Sequence, residues 1–350
     1  MDESQPLLRS VTNEGQQVYT NPSAPLRDGG ADIAETITIV DFDPQGDPDN
    51  PLDWLTSFKW SVVGMLAFMA FTVTMTCISV VPLASDIVRD LSASDHPSKS
   101  ASVLLVTIWE LGEAAGPLLI APLSEMFGRY PVMNAANLLF VAATVLAATA
   151  ASVPQFVVAR MLTGLAVASN VLNPAIVGDM FPSERRGSAL SLIYLAPLVG
   201  GAIGPLVGSA VAEEYGWRAV VWMTVVLASA CELLFLTCFR ETYKLAILRR
   251  RAARMAGRAG GPGKTFKTAF DEAEGVRDAG TAGWKKLRDA VLRPAIVLFG
   301  SGVLMAMSIF SAVVFTFFYV MSTTLSDILQ EIYGLPAVAV GACYAGFSKF

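Results

Sequence analysis

Charge is what this sequence has least of. Aspartate, glutamate, lysine and arginine make up 16% of its 350 residues, against roughly a quarter in soluble domains. There is one histidine, His96, in a polar loop, which excludes chemistry built on several histidines. Cysteine is scarce too: Cys77, Cys231, Cys238 and Cys343 all fall in or near apolar runs, and no pair has metal-ligand spacing. That excludes a disulfide framework and a zinc site. With no nucleotide loop, metal-ligand cluster or nucleophile–base pairing, the chain is not read as an enzyme, and no cofactor or metal is expected. The N-terminus lacks the basic and apolar regions of a signal peptide.

What is abundant is apolar surface: 53% of residues are hydrophobic and the mean hydropathy is +0.52. Apolar runs near membrane-spanning length recur at Trp60–Pro82, Ala101–Pro122, Pro131–Ala151, Pro154–Gly178, Gly187–Ala212, Gly216–Phe239 and Pro294–Val320. An eighth starts near Ala337 and stops at Phe350, too short to cross about 30 Å at 1.5 Å per residue. The fold class is therefore an all-α polytopic membrane protein. Its expected domains are a disordered acidic tail (1–59), a six-helix bundle (60–240), a basic central loop (241–292) and the start of a second bundle (293–350).

Arg129, Arg185, Arg186 and the stretch from Arg249 to Arg251 fall on one side of these spans, with only Arg89, Lys99 and Arg218 on the other. The bias places the N-terminus and central loop in the cytoplasm. Arg249–Arg251 reads as an inside-positive stop and a contact for anionic lipid. Trp54, Trp60 and Trp217 fall at the expected interfaces, where the aromatic belt accounts for them.

The fifth run contains Tyr194–Ser209, YLAPLVGGAIGPLVGS, with two prolines and four glycines. Glycine costs a soluble helix roughly 1 kcal/mol and proline about 3. In lipid, small residues instead permit the close backbone approach that drives helix association. Gly200, Gly204 and Gly208 recur every four residues, and Gly201 and Pro205 extend that face. It suits either a static packing seam or a surface that rocks against another helix.

GGAIGPLVGS resembles the fifth-helix motif of proton-driven antiporters of the major facilitator superfamily. Ala121–Val132, APLSEMFGRYPV, resembles that superfamily's loop between helices 2 and 3, G-x-L-x-D-R-x-G-R-R. Leu123, Glu125, Gly128 and Arg129 match or nearly match, while Ala121, Met126 and Tyr130 depart from it. Ala159–Gly164, ARMLTG, is similar to the fourth-helix motif with a membrane-embedded arginine. DPDNPLDWLTSFKW and RETYKLAILRRRA look like fungal members of the drug:proton antiporter branch. The resemblance implies twelve helices in two bundles around a central cavity, working by alternating access. Against that pattern this chain is expected to stop in helix 8, as a fragment or an early-terminated product.

Ionisable residues at membrane depth are functional candidates by default. Glu110 and Glu113 share one face of helix 2, and Arg160 lies in helix 4. Counted from the external ends, they lie roughly 13, 18 and 9 Å deep. They are the proton-coupling candidates, because moving an arginine relative to a carboxylate changes its proton affinity. A fixed ion pair orienting the helices is the alternative. Glu232, nearer the cytoplasmic end of helix 6, is expected to snorkel. Glu125 and Arg129 at the loop between helices 2 and 3, with Asp179, Glu184, Arg185 and Arg186 at the loop between helices 4 and 5, read as a cytoplasmic latch. In it Glu125 is stabilised at a helix N-terminus in one state and released in the other; topology determinants and solvated loop charges are the alternative. Trp109, Asn173, Tyr194 and Phe310 are the substrate-cavity candidates.

The reading is proton-coupled efflux of amphipathic small organic compounds (drugs, toxins or secondary metabolites), in the plasma membrane. A truncated, transport-inactive membrane protein with a regulatory or partner role and, behind it, a nutrient:proton symporter are the alternatives. The expected partners are the substrate, protons and membrane lipid, not nucleic acid; oligomeric state is not legible.

Overall fold

The computed structural model of the chain describes residues 8–11, 17–20, 36–92, 99–259, 264–268, 292, 296–336 and 339–343. His96 and most of the expected eighth run lie outside these residues, as does much of the central loop. The first span is α1 (Thr56–Ile78), which continues through a 3-10 turn (Val81–Leu83) into α2 (Ala84–Ser92). The second and third are α3 (Lys99–Phe127) and α4 (Arg129–Ala148). The fifth and sixth are α7 (Ser183–Tyr215) and α8 (Trp217–Cys238). Pro117, Pro122, Pro197 and Pro205 all lie inside helices, so prolines do not mark the ends here.

The fourth run is not one helix. It is split into α5 (Val153–Leu165) and α6 (Ser169–Met180), with Ala166, Val167 and Ala168 between them. All three are buried, and the Ala166 and Val167 amides bond the Leu162 and Gly164 carbonyls. Irregular backbone at membrane depth persists where protein covers it.

Packing organises the spans into pairs: α1 with α7, α3 with α5, and α4 with α8. One apolar core joins α1, α4, α6 and α8 through Leu66, Met133, Phe140, Ile176 and Phe235. A second lies at the opposite end of the bundle, around Leu83, Ile87, Leu105, Phe156, Trp217 and Val220. There Asp90 of α2 accepts from the Trp217 indole (3.0 Å) and from Arg218 (2.6 Å), tying the first and sixth spans together. Trp217 is thus a buried anchor, not a belt residue.

Outside the spans lie α9 (Lys244–Ala259) and four short strands: β1 (Leu8–Val11), β2 (Gln17–Thr20), β3 (Thr36–Val40) and β4 (Lys264–Thr268). β1, β2 and β3 pair antiparallel, and β3 pairs parallel with β4, Thr38 opposite Phe266. The expected tail is therefore partly structured. The β-branched run Thr36–Val40 finds its partner in the central loop, and Val40 with Phe42 packs on Leu248, Ala252 and Met255 of α9. Beyond the loop, α10 (Gly302–Asp327) begins the second bundle and leaves most of its apolar side chains exposed.

Candidate functional site

A helix leaves its last carbonyls without intrahelical partners. α1 ends at Ile78, and two of those carbonyls are met by Arg160 of α5. Its Nη1 donates to the Thr76 oxygen (3.1 Å) and its Nη2 to the Cys77 oxygen (3.0 Å). The guanidinium is 2% exposed and lies 4.5 Å over the Trp109 ring of α3. Its charge also faces the negative end of the α1 dipole. Among the described residues, its Nε has no hydrogen-bond partner. Both backbone acceptors of Arg160 are thus neutral carbonyls at the end of α1, with the Cys77 side chain beside them.

Trp109 joins Arg160 to the carboxylates. Its indole Nε1 donates to Glu113 Oε2 at 2.8 Å, and Phe140 of α4 packs edge-on against it at 5.9 Å. Glu110, one turn earlier than Glu113, accepts a hydrogen bond from the Tyr319 hydroxyl of α10. The three sequence candidates Arg160, Glu113 and Glu110 therefore share one neighbourhood, with Trp109 as the bridge. What brings α3 against α5 was missed in the sequence. A β-carbon on Gly112 would stand 2.3 Å from the Met161 carbonyl, one on Gly116 2.4 Å from that of Leu165, and one on Gly164 2.2 Å from that of Trp109. The G-x-x-x-G spacing of 112 and 116 was the available signal.

The glycine face of α7 lies on α1 in parallel register. Gly200 faces the Phe71 carbonyl (2.8 Å from a notional β-carbon), Gly204 that of Met75 (3.4 Å) and Gly208 that of Ser79 (2.9 Å). Gly201 sits beside this line, against Ile78, and Pro205 is buried within it.

At the other end of the bundle, Gly128 adopts φ +101° between α3 and α4, a conformation that favours glycine. Arg129 follows, and it is buried. Its backbone N–H donates to Glu241 Oε1 (2.8 Å), its Nε to Asp179 (3.5 Å) and its Nη1 to the Ser124 hydroxyl, and its guanidinium lies 4.8 Å over the Tyr243 ring. Thr242 also donates to Asp179 (3.4 Å), and Arg250 pairs with Glu241 at 3.5 Å. The carboxylate at the N-terminus of α4 in this structure is thus Glu241, and Glu125 is exposed at the end of α3 beyond Leu123. Gly128, the residue before the helix, has no side chain to cap it, and the chain returning from α8 supplies the carboxylate. Burial pushes the Tyr243 hydroxyl up and the Glu125 charge adds to this, while Arg129 and Arg249 oppose it. Arg186 donates to the Phe181 and Gly178 carbonyls, and Glu184 accepts from Ser183. Arg185 is exposed. Of the triple arginine, Arg250 and Arg251 are engaged by protein carboxylates, Arg251 with Asp47 at 2.5 Å.

The remaining candidates separate. Trp109 and Asn173 are buried, whereas Tyr194 (58%) and Phe310 (66%) are exposed. Glu232 does not snorkel: it is 3% exposed on the α4-facing side of α8. Among the described residues, no group of three or more His, Cys, Asp or Glu side chains is placed to hold a metal ion.

A bundle of paired apolar helices with a broken span and a charge cluster at membrane depth defines a multi-pass membrane protein with a polar interior. The chain belongs to the major facilitator superfamily, whose family model matches residues 61–348. It is 29% identical over 307 residues to the "Efflux pump radE" of Floropilus chiversii, covering 87% of this chain and 55% of that one. It is 31% identical over 317 residues to the "MFS-type transporter hepF" of Aspergillus oryzae, covering 88% and 62%. The chain thus spans little more than half the length of these relatives. A solved bacterial homologue of the human lysosomal transporter Spinster, inward-facing and unoccupied, shares the fold with a TM-score of 0.61 at 16% identity, covering 84% of this chain and 60% of that one.

Proposed function

We propose that this chain forms the first bundle of a proton-coupled exporter of amphipathic small organic compounds, oriented with its N-terminus in the cytoplasm of a plasma membrane. The relatives named as an efflux pump and a transporter support export. The observation that carries proton coupling is Arg160, a permanent charge held at membrane depth by two backbone carbonyls and a ring face. A guanidinium with neutral acceptors and an unpartnered Nε is a poor resting place for charge in low dielectric, and Glu113 and Glu110 stand on the helix next to it. When Glu113 loses its proton, the cation gains an acceptor that competes with the α1 carbonyls; when the proton returns, Arg160 falls back on α1. The proton state of α3 is thereby converted into the hold of α5 on α1, and α1 in turn lies on the glycine face of α7. Leu123, Gly128, Arg129 and the Glu241–Asp179 pair would brace the cytoplasmic end while these helices rock. Trp109 and Asn173, with the exposed Tyr194 of α7 and Phe310 of α10, would contact substrate.

The test is extrusion of a fluorescent amphipathic dye from cells carrying the chain, before and after the proton gradient is collapsed. Gradient-dependent extrusion that disappears in Glu113→Gln is the expected result. Extrusion that persists without a gradient would remove the coupling claim, and no extrusion at all would remove the export claim.

A further inference from the structure

The α4–α8 seam contains a group that nothing above uses. Glu232 is buried in the middle of an apolar wall, with Ala228, Cys231 and Phe235 on its own helix and Met133, Ala136 and Phe140 in the same core. Among the described residues, neither of its carboxyl oxygens makes a hydrogen bond of ordinary geometry, and neither does either end of the Asn137 amide, itself 1% exposed, although the amide lies within bonding reach of the carboxyl. Four polar atoms are therefore stranded together in one small space.

Their chemistry is complementary in one protonation state only. An ionised carboxylate is acceptor-only, and it can take an N–H from Asn137 but leaves the amide oxygen with no donor. A neutral carboxyl has an O–H to give. It donates to the amide oxygen while the amide N–H donates to the carboxyl oxygen, and all four atoms are satisfied reciprocally. Buried polar groups in native structures are almost always paired, and among the described residues no ion pair is formed by this carboxyl. The charged groups of the packed elements are Lys59 of α1, Arg129 of α4, Glu184, Arg185, Arg186, Glu213 and Glu214 of α7, and Arg218 of α8, and all sit at helix ends. Of the neutral titratable groups, Tyr130 donates to the Leu236 carbonyl and Cys231 is the neighbour on α8, while Tyr194 of α7 is exposed.

We infer that Glu232 and Asn137 form a proton-binding site within the seam of the third and sixth spans, separate from the Arg160 cluster. With the proton in place, carboxyl and amide join α4 to α8. Loss of the proton to water leaves a carboxylate whose remaining lone pairs, and an Asn137 amide oxygen with no donor, need water, and the seam opens to admit it. The site touches the other cluster through one ring: Phe140, one turn beyond Asn137, packs edge-on against Trp109, whose indole holds Glu113. Its role in transport rests on the coupling reading above, but its existence does not.

Infrared spectroscopy of the full chain reconstituted in lipid tests the site directly. At neutral pH the expected spectrum contains the carbonyl stretch of a protonated buried carboxyl, and Glu232→Gln, whose amide can still pair with Asn137, loses that band. An unchanged spectrum in Glu232→Gln overturns the inference. Should that variant not purify, Asn137→Leu gives the second readout. The band must shift because the O–H has lost its acceptor, and a band that stays in place overturns the site. Dye extrusion is measured in parallel: its absence from the unaltered chain would count against the exporter reading, while the infrared band still decides the site.

Discussion

Gly164 of α5 faces the backbone carbonyl of Trp109 in α3 so closely that a β-carbon on it would stand 2.2 Å from that oxygen. The same measure on the α1–α7 seam runs from 2.8 Å at Gly200 to 3.4 Å at Gly204. The two glycine seams are therefore not equivalent. The α3–α5 crossing is backbone on backbone and holds Arg160 over Trp109; the α1–α7 seam has slack, most of it at Gly204.

This difference predicts an ordering of alanine substitutions. Gly164→Ala and Gly112→Ala must push two backbones apart, and overpacking of this kind costs roughly 1–3 kcal/mol or more. Gly204→Ala meets only ordinary contact, and alanine favours a helix by about 1 kcal/mol over glycine, so its stability should hold or rise. Thermal unfolding of the purified variants in detergent gives the order directly. Equal losses at all three positions would mean that the α7 seam is as tightly locked as the α3–α5 crossing.

Arg160→Lys separates charge from geometry. Lysine retains the cation but loses the planar fork that reaches two carbonyls at once. One of the Thr76 and Cys77 oxygens is then left unpartnered at a buried helix end, at a cost of roughly 1–3 kcal/mol. The expected outcome is a lowered melting temperature together with lost gradient dependence of dye extrusion. A variant with wild-type values for both would show that only the charge of Arg160 matters.

Much of this architecture was legible in the sequence because membrane burial writes itself in composition. The six runs of the first bundle and the glycine face of α7 all follow from apolar length and four-residue spacing. The depths of Glu110, Glu113 and Arg160 could be counted along their helices, but that α3 faces α5 there could not be read. What was not legible depended on partners distant in the chain. Glu241 caps α4 from 112 residues beyond Arg129, whereas local pattern pointed to Glu125. Thr36–Val40 pairs with Lys264–Thr268, so its strand-like character had no visible partner. The split between α5 and α6 lies inside a continuous apolar run, and hydropathy is blind to it. Glu232 was placed by its distance from the helix end, while its environment is set by α4.

Glu241→Ala tests the cap. The substitution removes the acceptor for the Arg129 and Tyr243 amides and the partner of Arg250. Loss of an N-terminal cap costs roughly 0.5–2 kcal/mol, and the effect should appear first as faster amide exchange in the first turn of α4. Glu125→Ala, at an exposed position, should leave that exchange unchanged. The reverse ranking would return the capping role to Glu125.

The Asp47–Arg251 pair predicts a pH dependence for docking of the N-terminal segment on α9. Burial at 4% exposure works to raise the Asp47 carboxyl. The Asp49 and Asp43 amides and the Arg251 guanidinium outweigh it, so the group sits below its ordinary value of 3.8. A carboxyl lowered by docking binds protons less readily docked than free. Its contribution is therefore fully present above 3.8 and is lost as pH falls through the lowered value. A hydrogen bond to a charged group is worth roughly 1.5–3 kcal/mol, enough to shift the fraction of segment released. Limited proteolysis of residues 36–50 should be slow and constant from neutral pH down to mildly acidic pH, then accelerate on further acidification. Asp47→Asn should be cleaved rapidly throughout and lose the pH step, while Arg251→Gln should show the step at higher pH. If Asp47→Asn retains the step, the titrating group is another carboxylate of the segment, and the ion pair does not control docking.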